Sequence, residues 1–302
     1  MEKKNRKAVY HLPGLFEYFE LYAVFLPLFF RQREYFYDWC SIGSIYGSPS
    51  DCIWNGGRVG GGDADVDQVL NLMEAFGISA RLTFSNSVLQ EAHLADERCN
   101  AVCRRFAQCQ QVSNGVIVHS ERLSNYLRKE YPTLYQVSST TKVLTDFNDL
   151  VSELNREEFL YVVPDFRLNR EIEELKQLSQ PQKDQVEFLC NECCWFGCRD
   201  RKRCYETVSR KNLGESIPEH HCRAPEGDQG YRFSKAMTNP GFIGLKEIQG
   251  LYLPMGFSNF KIEGRGLGSA LILEFLLYYL TKPECQLLVR EAIYLDNMLD
   301  LF

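Results

Sequence analysis

The chain has 302 residues, 45% of them hydrophobic and 25% charged, with a formal net charge of −6. Such a composition is ordinary for a globular soluble protein and supplies core enough for one large domain. The acidic balance removes any general basic field, and with it general nucleic-acid binding, although Arg199-Asp200-Arg201-Lys202-Arg203 is a local basic patch.

Near the N-terminus Lys3, Lys4, Arg6 and Lys7 precede an apolar run from Leu21 to Phe30. That order suits a secretory signal, but the run carries Pro27, is approached through Glu17 and Glu20, and ends without a small-residue cleavage site. It is too short to span a bilayer. We read it as a buried helix and place the protein in the cytoplasm, with no membrane partner. The twelve cysteines are then reduced thiols rather than disulfides.

Short apolar or β-branched runs recur along the chain at Ala8–Leu12, Ser41–Tyr46, Ser79–Ser85, Gly115–His119, Tyr135–Thr140, Phe159–Asp165, Val186–Asn191 and Ser258–Glu263. Amphipathic helical patterns lie between several of them. Asp65 to Phe76 places Val66, Val69, Leu70, Met73 and Phe76 on one face, and Ser120 to Tyr131 does the same with Leu123, Tyr126, Leu127 and Tyr131. Asn169 to Leu178 and Gly268 to Leu280 follow the pattern. In the Arg-rich stretch Asp96 to Phe106, Cys99 and Cys103 share a helix face and read as packing thiols.

Apolar strands alternating with helices predict a parallel sheet, and eight such units predict an α/β fold, a (β/α)8 TIM-type barrel. The whole chain, 1–302, reads as one barrel domain with a Cys-rich loop insertion at 190–250 after the seventh strand. On such a barrel, function collects at the C-terminal strand ends. Those ends carry Tyr46-Gly47, Ser85-Asn86, His119-Ser120, Ser138 to Lys142, Pro164-Asp165, Asn191 to Cys194 and Lys261 to Arg265.

The segment after the seventh strand, Leu189-Cys190-Asn191-Glu192-Cys193-Cys194-Trp195-Phe196-Gly197-Cys198 and on to Cys204, holds five of the twelve cysteines. Thiolates crowded at a strand end suit a metal centre. Cys194, Cys198 and Cys204 supply local ligands and Cys222 a remote one, with Cys190 and Cys193 as spares. A four-iron, four-sulfur (4Fe–4S) cluster is the first expectation and zinc the alternative. His220 and His221 are further candidate ligands. The spacing departs from the Cys-x3-Cys-x2-Cys pattern of radical S-adenosylmethionine enzymes, because six positions separate Cys198 from Cys204.

Ser258-Asn259-Phe260-Lys261-Ile262-Glu263-Gly264-Arg265 resembles the Lys-Ile-Glu-Gly-Arg strand end of the collagenase-like peptidase (U32) family. The Cys-rich loop with basic residues beyond it is similar in kind. The resemblance implies a TIM-type barrel and, as in several relatives, a four-iron cluster supporting oxygen-independent hydroxylation of ubiquinone precursors or RNA bases. It carries over Lys261, Glu263 and Arg265 as mouth residues and the cluster ligands Cys194, Cys198, Cys204 and Cys222.

Asn55-Gly56-Gly57-Arg58-Val59-Gly60-Gly61-Gly62 is either an anion-cradling loop or a plain connection. Asn55 and Arg58, with Asn86, are the candidate cofactor-binding residues. Asp63 and Asp65 suit caps of the following helix. His119, Asp165 and Glu192 are either proton-transfer and substrate-binding groups or residues satisfied by neighbours; for Asp165 and Glu192 those neighbours would be Arg265 or Lys142. No His-Glu-x-x-His helix or Ser-His-Asp order supports a peptidase, which stands as a further alternative. The expected protein is an iron–sulfur redox enzyme acting on a small organic or nucleobase substrate, with an electron donor or partner subunit. In it His119, Asp165, Glu192, Lys261, Glu263 and Arg265 are the candidate catalytic residues. The alternative is a zinc-stapled, non-catalytic binding or scaffold protein.

Overall fold

The computed structural model of the chain describes residues 6–57, 61–225 and 230–295. Strands form where the short apolar runs mark them: β1 Ala8–Pro13, β2 Cys40–Gly47, β3 Ser79–Leu82, β4 Gly115–Val118, β5 Tyr135–Ser138, β6 Phe159–Val162, β7 Glu187–Leu189 and β8 Asn259–Lys261. They pair in parallel in the order β6-β5-β4-β3-β2-β1-β8-β7. A parallel bridge between Val162 and Val186 joins the two outer strands. The result is a nearly closed (β/α)8 barrel.

Successive side chains along a strand point to opposite faces, and here the two faces differ in chemistry. Outward positions such as Tyr10, Ile45, Ala80, Val116, Phe188 and Phe260 pack under the surrounding helices in the main apolar core. Inward positions are aromatic or ionisable low in the barrel and aliphatic above: His11, Arg81, Glu187 and Lys261, then Ile117, Val137, Val163 and Leu189. Gly43 makes room for this interior, because a Cβ there would collide with Val9 and His11.

The first apolar run is a helix, Phe19–Arg31, burying Leu21, Tyr22, Phe25, Leu26 and Phe29. Among the described residues no helix is long and apolar enough to cross a membrane. In the helix Glu97–Ala107, Cys99 and Cys103 are buried against the core as packing thiols. Asp65 caps the helix Val66–Ala75, its carboxylate accepting the Asp67 and Gln68 N–H groups. Asp63 does not cap it; it accepts the Ser50 hydroxyl at 2.5 Å instead. The helix expected over Asn169 to Leu178 is a short turn at Phe166–Arg170 followed by a helix at Ile172–Gln177. The break has a cause: the buried Asn169 amide donates to the carbonyls of Leu189 and Gly241, tying the turn to β7.

Between β7 and β8 the chain leaves the barrel to form a helix, Arg201–Asn212, and a shorter one, Phe233–Met237. The first leans on the mouth. The Asn86 amide donates to the Ser209 carbonyl and the Asn212 amide to the Asn55 carbonyl.

Candidate functional site at the barrel mouth

The floor of the mouth is built by the inward charges. Glu187 on β7 accepts from the Arg81 guanidinium of β3, and its other oxygen accepts from the Lys261 ammonium of β8 at 3.0 Å. Burial alone would raise the Glu187 carboxyl; Arg81, with Lys261, holds it well below the usual carboxylate range. The Arg81 guanidinium lies over the Tyr161 ring at 4.6 Å, and its Nε–H donates to the Tyr135 hydroxyl oxygen at 2.7 Å. Burial, helped by Arg81, lowers His11 to about 3. Its 3.5 Å approach to Glu187 is therefore a contact of a neutral ring at pH 7, with Ser44 at 2.8 Å from Nδ1 and Asn259 at 3.2 Å from Nε2. Burial pushes Lys261 down to about 8 against the pull of Glu187, and its ammonium sits 3.6 Å from the Tyr46 ring centroid.

Above this floor opens a cavity of about 290 Å³. Lys261, Glu263 and Cys193 line it together with the rings of Tyr46, Tyr205 and Tyr231. Ser139, Thr140 and Thr141 bring hydroxyls from the end of β5. Sites of this kind, largely apolar with a few converging polar groups, bind small molecules.

One wall of the mouth is locked by a second ion network. Arg201, at the start of the helix Arg201–Asn212, bridges Asp165 after β6 at 2.6 Å and Glu192 after β7 at 2.5 Å. Arg167 adds a second cation to Asp165 at 2.6 Å and donates to the Cys198 carbonyl. Burial opposes ionisation of Asp165, but the Arg167 hydrogen bond and the Arg201 charge leave its carboxyl below the ordinary value. The Glu192 carboxylate also accepts the Cys194 N–H at 2.9 Å. Asp165 and Glu192 thus do pair across the mouth, with Arg201 and Arg167 as partners rather than Arg265 or Lys142.

The chain compares with known proteins through its fold. It matches no family model and no curated protein sequence. Among solved structures it is similar to that of the U32 peptidase Mk0906, with a TM-score of 0.54 and 13% identity over 87% of this chain and 95% of that one. The barrel is U32 peptidase-like in fold.

The other sequence-derived candidates divide. His119, after β4, meets the Thr141 hydroxyl at 2.9 Å; burial, with Lys142 and Lys202, lowers it to about 4, so it is neutral at pH 7. Arg265 lines the cavity but is held by the Gly56 carbonyl at 2.9 Å and Glu17 at 3.4 Å. Lys142 pairs with Glu153 at 2.6 Å. Asn86 docks the helix Arg201–Asn212 and the Ile53 carbonyl, and the Asn55 amide donates to the Pro49 carbonyl. Both are used by the scaffold. Arg58 lies outside the described residues. Gly56, Gly61 and Gly62 pack so closely on the backbone of Ser85, Pro49 and Phe16 that any Cβ would collide, which accounts for glycine there.

Cys190 is buried in the barrel wall, and burial pushes its thiol well up. Cys194, Cys198 and Cys204 are partly accessible and Cys222 is exposed. Among the described residues, no three of these sulfurs lie within 4.8 Å of one another. Among the described residues, the group whose donor atoms approach within 4.8 Å of one another is Glu192, Cys193 and Glu263.

Sequence reading missed Arg81, Glu187 and His11, single charged or polar residues inside strand runs, and undervalued Cys193. The three cavity tyrosines are far apart in sequence. Their only signal was Tyr46 at a strand end.

Proposed function

We propose that this chain is an enzyme acting on a small polar organic molecule held in the barrel-mouth cavity, with a metal centre supplied by the thiol-rich loop after β7. The observation that carries this reading is the cavity, where a lysine, a carboxylate, a thiol and three phenol rings converge at the C-terminal strand ends. Barrel enzymes place their chemistry there. Lys261 and the hydroxyls of Ser139, Thr140 and Thr141 would hold acceptor oxygens of the substrate. Glu263 would take or return a proton, and the tyrosine rings would cover a flat molecule such as a nucleobase or aromatic acid.

The redox form of this proposal puts a four-iron, four-sulfur cluster on Cys194, Cys198, Cys204 and Cys222. Two things support it: these thiols are accessible while Cys99, Cys103 and Cys190 are buried, and their loop is fastened to the mouth through Arg167 and Arg201. When bound, the cluster would relay electrons in an oxygen-independent hydroxylation or related tailoring step, in which oxygen from water enters the substrate and the two electrons released pass to a partner acceptor. A peptidase reading has less support. Ser44, His11 and Glu187 form a hydroxyl–imidazole–carboxylate string, but all are buried beneath the cavity, where no peptide reaches.

The test is an absorption spectrum with iron, sulfide and zinc analysis on protein purified without oxygen. The redox reading expects a broad visible band, bleached by dithionite and lost in Cys198→Ser. A colourless protein holding only zinc overturns it and favours a stapled, non-catalytic barrel.

A further inference from the structure

We propose that His119, Thr141 and Ser139 form a one-way chain of hydrogen-bond donors ending in the cavity, where the Ser139 hydroxyl binds an acceptor oxygen of the bound molecule and hands it a proton. This rests on the small-molecule reading above and narrows its row of hydroxyls to one.

The direction of the chain is fixed by the hydrogens available. A hydroxyl has one hydrogen to give and two lone pairs to receive with, and a neutral imidazole has one N–H. The Thr141 hydroxyl donates to Ser139 Oγ at 2.9 Å, so it has no hydrogen left for the imidazole. His119 Nδ1, 2.9 Å from the same Thr141 oxygen, must therefore carry the N–H and donate it. At the other end Ser139 Oγ receives twice, from the Thr141 hydroxyl and from the Thr141 backbone N–H at 3.2 Å. The hydrogen of Ser139 itself has no acceptor among the described residues. Ser139 is 3% exposed and lines the cavity. A buried donor left without an acceptor is costly, and an oxygen of a molecule in the cavity removes that cost. The neighbouring Thr140 hydroxyl is already given to the Pro164 carbonyl at 3.4 Å.

The far end of the chain lies nearer solvent. His119 is half-buried, and its Nε2 has no partner among the described residues. Burial, with Lys142 and Lys202 nearby, keeps the ring neutral at pH 7, so Nε2 holds a lone pair. When Nε2 takes a proton from solvent, Nδ1 passes its own to Thr141, Thr141 to Ser139, and Ser139 to the substrate oxygen. Each proton moves one place, both hydroxyls and the imidazole end neutral, and no electrons are transferred. Donors aligned in this way polarise one another. The turn that carries them is held stiffly. Val143 closes it at φ 57°, a left-handed conformation that a β-branched residue keeps only under constraint, and such strain gathers where ligands are gripped. Lys142 is tied to Glu153, which also accepts the Ser138 hydroxyl.

Nitrogen-15 NMR of the histidines in the full chain tests the proposal. Benzoate is the probe, because its flat ring suits the tyrosine walls and its carboxylate offers acceptor oxygens. The expected result is His119 in the Nδ1–H tautomer at pH 7, with its Nδ1 resonance shifting as benzoate binds. Ser139→Ala should bind benzoate roughly tenfold more weakly, the loss of a hydrogen bond to a charged group. Thr141→Val, which removes the hydroxyl and keeps the shape, should abolish the His119 shift while retaining most of the affinity. Circular dichroism checks that both variants fold. His119 in the Nε2–H tautomer, or Ser139→Ala binding benzoate as tightly as the parent, overturns the proposal. If the parent binds no benzoate, the tautomer separates the two failures. Nε2–H then overturns the donor chain, whereas Nδ1–H upholds the chain and overturns the reading of the cavity as a site for aromatic acids.

Discussion

The barrel interior and the loop after β7 use the same residue types to opposite ends. Inside the barrel Glu187 meets Arg81 and Lys261 across strands β7, β3 and β8, with stacked tyrosines above and below, and nothing there reaches solvent except the tip of Lys261 at the cavity. Beyond β7 and β8, Glu192, Cys193 and Glu263 stand close together, and Cys193 and Glu263 line the cavity. The first set is held by mutual pairing and serves to shape a floor. The second is pinned through Asn191, Tyr231 and the Arg201–Glu192 contact, while Cys193 and Glu263 line the cavity. What distinguishes scaffold from site here is therefore access, since the first set is closed beneath the floor and Cys193 and Glu263 reach the cavity.

The comparison can be broken most sharply at Glu187. Glu187→Gln leaves Arg81 and Lys261 buried without their anion, and removing one member of a buried ion pair costs about 3–5 kcal/mol. Urea unfolding should report that loss; a change below ~1 kcal/mol would mean the interior charges are not mutually dependent. On the loop side, Arg201→Met strips Asp165 and Glu192 of their shared cation, while Asp165 keeps Arg167. A loss of about 2–3 kcal/mol is expected, with faster proteolysis confined to the stretch after β7. Cleavage spread evenly over the chain would contradict the idea of a local latch.

The third test is acid titration of stability. His119 is lowered from 6.5 to about 4 in the folded chain, chiefly by burial. Its neutral form is favoured by folding, so its contribution is present above pH 6.5 and is lost as pH falls toward 4. The loss amounts to about 3 kcal/mol by pH 4. His119→Gln should flatten the stability profile between those two values. An unchanged slope would place the acid sensitivity elsewhere, with His11 the next residue to substitute.

The strands were readable because β-branched and aromatic runs bounded by turn residues carry their own signal, and all eight lie where that signal placed them. The strand-end rule likewise brought Lys261, Glu263 and Arg265 to the mouth. Partners were not readable. Glu187 lies 106 positions from Arg81 and 74 from Lys261, and only the closed sheet brings them together. Closeness in sequence did not reveal that Cys193, read as a spare, meets a glutamate 70 residues away in the next strand end. Cys99 and Cys103 were legible as packing thiols because helical spacing alone sets which face they share.

One seam of the barrel differs from the others. Between β6 and β7 the backbone offers the single bridge Val162 to Val186 where neighbouring strands have ladders. Directly above it Asp165 leaves β6, Glu192 leaves β7, and Arg201 spans the two, while Asn169 reaches from the first side to the Leu189 carbonyl on the other. Side chains thus fasten a joint that the peptide ladder leaves thin. Anything that grips the loop, an ion or a substrate, also tightens the joint, so occupancy of the mouth should be audible in the breathing of the barrel. The amides of Tyr161, Val162 and Val186 would slow their exchange with solvent when the mouth is filled, while those of β1 and β2 on the far side stay as they were.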